Sequence, residues 1–159
     1  MTYHFSILTQ SQAETIAYTW HYDGAYAFYD LEADADDLAE FLDANQRGQS
    51  VFAITSDSEL IGFVSISQTD ALTVDIGLGM RPDLTGNGNG RAFLISILDF
   101  IETTYAPRRI TLAVAAFNER ALRLYEACGF RQSGAFQQPT NGSVYDFVRM
   151  ERKESPQNV

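Results

Sequence analysis

The chain has 159 residues, a formal net charge of −10 at neutral pH, 45% hydrophobic residues and 20% charged residues. That size fits one domain with one core, and the composition is that of a globular chain rather than a disordered one. The acidic balance argues against nucleic acid, which selects basic surfaces. No apolar run reaches the roughly eighteen residues needed to span a bilayer; the longest, Phe93 to Leu98, is broken by Ser96.

In chain order, Tyr3 to Leu8 reads as a strand. Gln10 to Trp20 reads as a helix, with Ala13, Ile16, Ala17 and Trp20 on one face and Thr9 or Ser11 as cap. A loop rich in aromatics, Tyr22 to Asp30, precedes a second helix from Ala35 to Asn45 that carries Leu38, Phe41 and Leu42 and stops at Gly48. Val51–Thr55 and Leu60–Ser67 are strands joined by a hairpin turn at Ser56–Glu59, and Thr73–Met80 is a further strand stopped by Pro82. A helix from Arg91 to Tyr105 ends before Pro107. A strand from Arg109 to Val114 follows, then a short helix capped by Asn118 and stopped by Gly129. Phe130–Phe136 and Tyr145–Arg152 form a last strand pair around Pro139–Gly142. The order β-α-α-β-β-β-α-β-α-β-β implies an α/β mixed sheet with helices on both faces. One domain is expected over 1–153, with a loose polar tail over 154–159.

The charge is uneven. Up to Ser50 there are nine acids (Glu14, Asp23, Asp30, Glu32, Asp34, Asp36, Asp37, Glu40 and Asp43) against one base, Arg47, a net of −8. Such a region is either a solvated outer face or a field that draws in a cationic amine. The one cysteine, Cys128, has no disulfide partner within the chain, so a reducing compartment is expected. The first residues lack the basic stretch and apolar core of a secretion signal, which makes the cytoplasm the expected location.

Thr85-Gly86-Asn87-Gly88-Asn89-Gly90 stands between a strand and a helix. Glycines let a backbone approach an anion closely, and a helix start adds donors and the positive end of a dipole. Two familiar patterns fail on spacing. A dinucleotide fingerprint would need glycine at Arg91 or Phe93, and a Walker loop would need Lys-Ser/Thr at Arg91-Ala92. Without further evidence, a ligand-free turn explains the segment equally well.

With the later segments in view, the chain resembles the GCN5-related N-acetyltransferase (GNAT) superfamily. Gly86–Gly90 fits the small-residue positions of its cofactor loop, and Asp75–Pro82 is similar to its fourth strand. Asn118-Glu119-Arg120-Ala121-Leu122-Arg123-Leu124-Tyr125-Glu126-Ala127-Cys128-Gly129-Phe130 follows the family's Asn-x-x-Ala-x-x-Leu-Tyr-Glu-x-x-Gly-Phe. The motifs cover Val51 to Met150; before that the resemblance rests on element order.

The resemblance implies an acyl-coenzyme A N-acyltransferase fold, a mostly antiparallel central sheet splayed between strands 4 and 5. It also implies an acetyl-CoA-dependent N-acetyltransferase acting directly in a ternary complex. The backbone of Leu78, Gly79 and Met80 would pair with the pantetheine arm, and one of these amides would act as an oxyanion donor. Thr85, Gly86, Asn87, Gly88, Asn89, Gly90 and Arg91 would surround the pyrophosphate, and Asn118 would touch the arm. Tyr125 would protonate the departing thiolate. Asp75 is the leading general base, with Asp23, Asp30, His21 and Tyr145 behind it. Tyr22, Tyr26, Phe28, Tyr29 and Tyr145 are candidates for holding the amine by cation–π contact, with the Gln137–Val144 turn beside them. The same aromatics are equally suited to pinning a loop to the core.

Three positions depart from the family pattern. Thr85 replaces Arg or Gln, Asn89 replaces an apolar residue, and Ala113 stands where some relatives carry a glutamate base. No metal, nucleic acid or membrane partner is expected; the family often forms homodimers. The competing function is a non-catalytic acyl-CoA sensor, against which Tyr125 weighs.

Overall fold

The computed structural model describes residues 2–153. The expected tail from Glu154 lies outside the described residues. The strands join one seven-stranded sheet in the order β1-β2-β3-β4-β5-β7-β6. They are β1 His4–Ile7, β2 Val51–Ser56, β3 Glu59–Asp70, β4 Thr73–Met80, β5 Arg109–Ala115, β6 Arg131–Thr140 and β7 Ser143–Lys153. β1–β2, β2–β3 and β5–β7 pair antiparallel, whereas β4–β5 is parallel. The parallel ladder joins Thr73 to Arg109, Val74 to Ile110 and Asp75 to Thr111, and both strands continue past it. The helices are α1 Gln10–Thr19, α2 Ala35–Leu42, α3 Ala44–Arg47, α4 Gly90–Tyr105 and α5 Glu119–Ala127.

The chain divides into two compact units. Among the described residues, one takes 2–65 together with Leu78–Asn89 and Pro139–Val144; the other takes Ile66–Gly77, Gly90–Gln138 and 145–153.

In the first unit, α1 is closed at its start by a reciprocal cap: Gln12 N donates to Thr9 Oγ1 and Thr9 N donates to Gln12 Oε1. Its apolar face places Ala13, Ile16 and Trp20 in a cluster with Leu8, Val51 and Ala53, against which Leu31, Phe41, Leu60 and Phe63 pack. Each such large side chain contributes about 1.5–3 kcal/mol when fully buried. The second helix of the sequence reading is two helices. Asp43 leaves helical geometry at φ −82°, ψ 106°, and its carboxylate accepts from the amides of Asn45 and Gln46 to start α3. An aspartate that finds two orphan amides caps a new helix in preference to extending the old one. The buried Arg47 then donates to Phe41 O at 2.6 Å and Gln10 Oε1 at 2.7 Å, tying α1 to α2. The aromatic loop is not irregular throughout. It forms two 3₁₀ turns, Gly24–Tyr29 and Leu31–Ala33.

In the second unit, α4 buries Phe93, Leu94, Ile97, Leu98 and Ile101, a stripe at helical spacing, and Tyr105 at its end is half-buried. Asn118 caps α5 through Oδ1, which accepts from Ala121 N at 3.1 Å, and Gly129 turns the chain out at φ 97°. β6 and β7 run longer than their apolar pattern suggests. Pro139 and Thr140 belong to β6, and the turn tightens to Asn141-Gly142, both left-handed at φ 51° and 76°. Asn-Gly suits a two-residue hairpin turn, which lets the ladder continue to its tip.

Candidate active site

The segment after β4 builds its shape from its own side chains. Arg81 clamps Asp83 with two bonds, Nε to Oδ1 at 2.6 Å and Nη2 to Oδ2 at 3.1 Å. The guanidinium holds the Asp83 carboxyl below its ordinary range. Pro82–Leu84 forms a 3₁₀ turn. The next polar side chains then fold back onto that turn: Thr85 Oγ1 donates to Pro82 O at 2.8 Å, Asn87 Nδ2 to Asp83 O at 3.0 Å, and Asn89 Nδ2 to Leu84 O at 3.1 Å. Gly86 and Gly88 alternate with them at φ 75° and 80°, a region that costs other residues energy. A Cβ on Gly88 would meet nothing within 4 Å, so that side of the turn opens to space. Asn89, which departs from the family's apolar preference, is explained here: its amide closes the loop.

Met80 ends β4, and Tyr22 meets it: the Tyr22 hydroxyl donates to Met80 O at 2.7 Å. Gly79 beside it lies under the Phe63 ring, where a Cβ would come to 2.4 Å of a ring carbon. Burial, reinforced by the charge of Asp30, pushes the Tyr22 phenol far above its ordinary value. Asp30 accepts from Tyr22 N at 2.8 Å through Oδ1 and faces His21 Nδ1 at 3.2 Å through Oδ2. His21 Nε2 lies 3.0 Å from Tyr18 O. Two acceptors on one ring favour the imidazolium, and the bond to Asp30 is the largest cause of its raised pKa. Of the weaker base candidates, His21 and Asp30 are therefore engaged with each other.

The two segments expected to set acceptor specificity touch. Asp34 caps α2 through Oδ1, which accepts from Asp36 N and Asp37 N. Its Oδ2 accepts from Thr140 Oγ1 at 3.1 Å and Asn141 N at 2.9 Å. Asn141 Nδ2 donates to Phe28 O at 2.8 Å, so the hairpin tip is fastened to the aromatic loop. These bonds, led by those from Asp37 N and Asn141 N, hold the Asp34 carboxyl below its ordinary range. Sequence reasoning did not single out Asp34. A capping Asp before α2 was visible, but its second use depends on residues more than a hundred positions away. Tyr26 is half-buried, whereas Tyr29 is exposed and meets Phe28 edge-on at 5.2 Å. A recess of about 440 Å³ lies between α1 residues Thr15 and Thr19, His21, Leu60 and the Arg81–Asp83 segment.

In the second unit, Asp75 Oδ1 accepts from Thr111 Oγ1 at 2.6 Å, across the last pair of the parallel ladder. A threonine hydroxyl thus orients this carboxylate. Tyr125 lies half-buried on α5, its ring edge-on to Phe130 at 5.7 Å. Tyr145 is half-buried on β7, and Asn118 is buried. Cys128 is half-buried at the end of α5. Among the described residues, no group of three or more His, Cys, Asp or Glu side chains is arranged to hold a metal ion, and no helix is long and apolar enough to cross a membrane.

A mixed sheet with a parallel β4–β5 pair, followed by a glycine turn leading into a helix, defines an acetyltransferase-type α/β protein. The sequence profile of the acetyltransferase (GNAT) family matches residues 14–130, and the chain belongs to that family. The match begins well before Val51, so the first third is covered by sequence as well as by element order. Among curated proteins, the chain is 29% identical over 99 residues to spermidine N(1)-acetyltransferase of Vibrio cholerae. It is 26% identical over 100 residues to YokL, a prophage-derived uncharacterized N-acetyltransferase of Bacillus subtilis. These alignments take 60% of this chain and span only 57% and 56% of those relatives. In three dimensions, a chimera of the V. cholerae spermidine N-acetyltransferase and hSSAT superposes with TM-score 0.76 at 23% identity, covering 95% of both chains. The V. cholerae enzyme in complex with CoA and spermine gives 0.72 at 21% identity, again over 95% of both chains. At those identities the likeness is one of fold.

Proposed function

We propose that this chain transfers an acetyl group from acetyl-CoA to a primary amine of a small molecule or peptide, directly within a ternary complex. The observation that carries the reading is the Thr85–Gly90 turn. Its three polar side chains bond backward onto Pro82, Asp83 and Leu84, while Gly88 opens to space with a left-handed backbone. A loop that spends its side chains on itself offers main-chain donors, which is the chemistry a diphosphate needs. By that test the residues fit the coenzyme, and Thr85 takes no side-chain part in gripping it.

The coenzyme, when bound, supplies an acetyl thioester. Gly86–Arg91 would hold the diphosphate, Leu78–Met80 would pair with the arm through their backbone, and Asn118 would be a further contact. Tyr125 would serve as the acid, its hydroxyl supplying a proton to the thiolate leaving group. An alkylammonium has a pKa near 10 and must lose a proton before attack. Asp75, oriented by the Thr111 hydroxyl, takes it directly or through water. The acceptor would be met by Tyr26 and Tyr29, on the loop to which the hairpin tip is fastened, with Tyr145 a further candidate. Relatives named for spermidine make a polyamine the first acceptor to try. The acidic first third supports a cationic acceptor: Glu32, Asp36, Asp37 and Glu40 are exposed, although Asp30, Asp34 and Asp43 are spent on hydrogen bonds.

The test is a panel of polyamines, amino sugars, amino acids and peptides with acetyl-CoA, read by release of free thiol, beside calorimetry with CoA. Turnover with at least one amine is expected. Tight CoA binding without turnover across the panel would make the chain an acyl-CoA sensor instead, and absence of CoA binding would end the reading altogether.

A further inference from the structure

We propose that Tyr22 is a positioning residue for the acyl donor: its hydroxyl fixes the Met80 peptide so that the end of β4 presents its free edge in one register. The inference rests on the reading that Leu78–Met80 receive the pantetheine arm.

Arg81 N donates to Ile61 O at 2.8 Å, so the backbone groups of Arg81 face β3. Successive residues of a strand direct their backbone groups to opposite edges. The N–H and C=O of Met80 therefore face away from β3, along the edge an added strand would use. At that edge the Met80 carbonyl accepts from the Tyr22 hydroxyl at 2.7 Å. The Met80 C=O and the Arg81 N–H belong to one planar peptide, so that peptide is held on both sides, by Ile61 O at its N–H and by the Tyr22 hydroxyl at its C=O, and its plane is fixed at the edge. A carbonyl oxygen has two lone pairs, so the bond leaves room for a second donor from the arm.

Tyr22 is itself held. Asp30 accepts from its backbone N–H at 2.8 Å, and Met80 is itself buried. Burial also keeps the phenol protonated throughout the working pH range, so it remains a donor and does not serve as a base. The aromatic loop thus reaches the donor strand through one hydroxyl, in a role distinct from the amine-holding wall that its composition suggests.

Tyr22→Phe keeps the ring and removes the hydroxyl. Calorimetry with CoA and steady-state kinetics with acetyl-CoA and the best amine read the outcome. The variant should bind CoA about three- to tenfold more weakly, the effect of one hydrogen bond. Its kcat/KM for acetyl-CoA should fall at least as far, with KM for the amine unchanged. Asp30→Ala, which keeps the phenol but frees its backbone, should shift both quantities the same way by less. Asp30→Asn, whose Oδ1 still accepts, should restore them; this pair decides the matter if Tyr22→Phe does not fold. Unchanged CoA affinity and kinetics, or a lower melting temperature alone, overturns the inference. A rise confined to the KM of the amine also overturns it and returns Tyr22 to the acceptor wall. Failure of the underlying reading looks different, because the unsubstituted chain would then not bind CoA at all.

Discussion

The Thr85–Gly90 turn and the Tyr22–Ala33 loop both break the regular elements, and they are held in opposite ways. The turn is local: each of its side-chain bonds spans three to five residues and ends on the turn that precedes it. The loop is held from afar, by Met80 through Tyr22 and by Thr140 and Asn141 through Asp34 and Phe28. A locally closed loop keeps its shape whatever its surroundings do. A loop fastened at a distance takes its shape from several segments at once and is easily re-cut for a different partner. In the proposed enzyme, that division gives the invariant coenzyme to the first region and the variable acceptor to the second, Tyr22 excepted, whose hydroxyl serves the donor strand.

The largest expected effect lies outside both regions and sets the scale for them. Tyr125→Phe should lower kcat by about a hundredfold or more, the usual worth of a positioned acid, and leave CoA affinity unchanged in calorimetry. An unchanged kcat would remove the phenol from the chemistry. Next comes Gly88→Ala. A Cβ in the left-handed region costs roughly 1–2 kcal/mol, so the free turn should relax away from that backbone and CoA binding, which restores it, should weaken by up to about tenfold, while KM for the amine stays constant. If the amine constant moves instead, the assignment of the two regions is reversed.

Asp34→Ala attacks the other side of the comparison. It should raise KM for the amine severalfold with CoA affinity intact, and lower the melting temperature at neutral pH. Its sign with pH is fixed by the lowered pKa. The native carboxyl titrates below its ordinary 3.8, so its stabilisation is present above that value and is lost as pH falls through the native pKa. The variant should therefore differ from the unsubstituted chain at pH 7 and converge with it in strong acid. The smallest effect is that of His21, which is exposed. Its raised pKa means that its contribution is present below the ordinary 6.5 and fades as pH rises through the native value. A proton NMR titration should place His21 above 6.5, and Asp30→Asn should return it toward that value. An unshifted His21 would show that Asp30 serves Tyr22 alone.

Much of the fold was legible because its signals are local. The strand Thr73–Met80, the helix into Tyr105 and the Asn118 cap follow from periodicity, proline stops and capping chemistry within a few residues. The break at Asp43 and the lengthened β6–β7 hairpin were missed for a related reason: the periodic pattern gives an element's face more firmly than its end, and caps and turns decide the end. The glycine turn was also legible, since alternating glycine and asparagine between a strand and a helix is turn chemistry, and glycine supplies the left-handed backbone such a turn needs. What the sequence by itself determined, then, is the order of elements, the turn and the family motif around Tyr125, because each depends on neighbours in the chain. Only the tertiary structure decided that Asp34 joins the hairpin tip to the aromatic loop, that Thr111 orients Asp75 and that the Tyr22 hydroxyl belongs to Met80. Those bonds join residues between 36 and 107 positions apart. A polar side chain at such a range finds its partner only once packing has brought the segments together, and no local spacing records that choice.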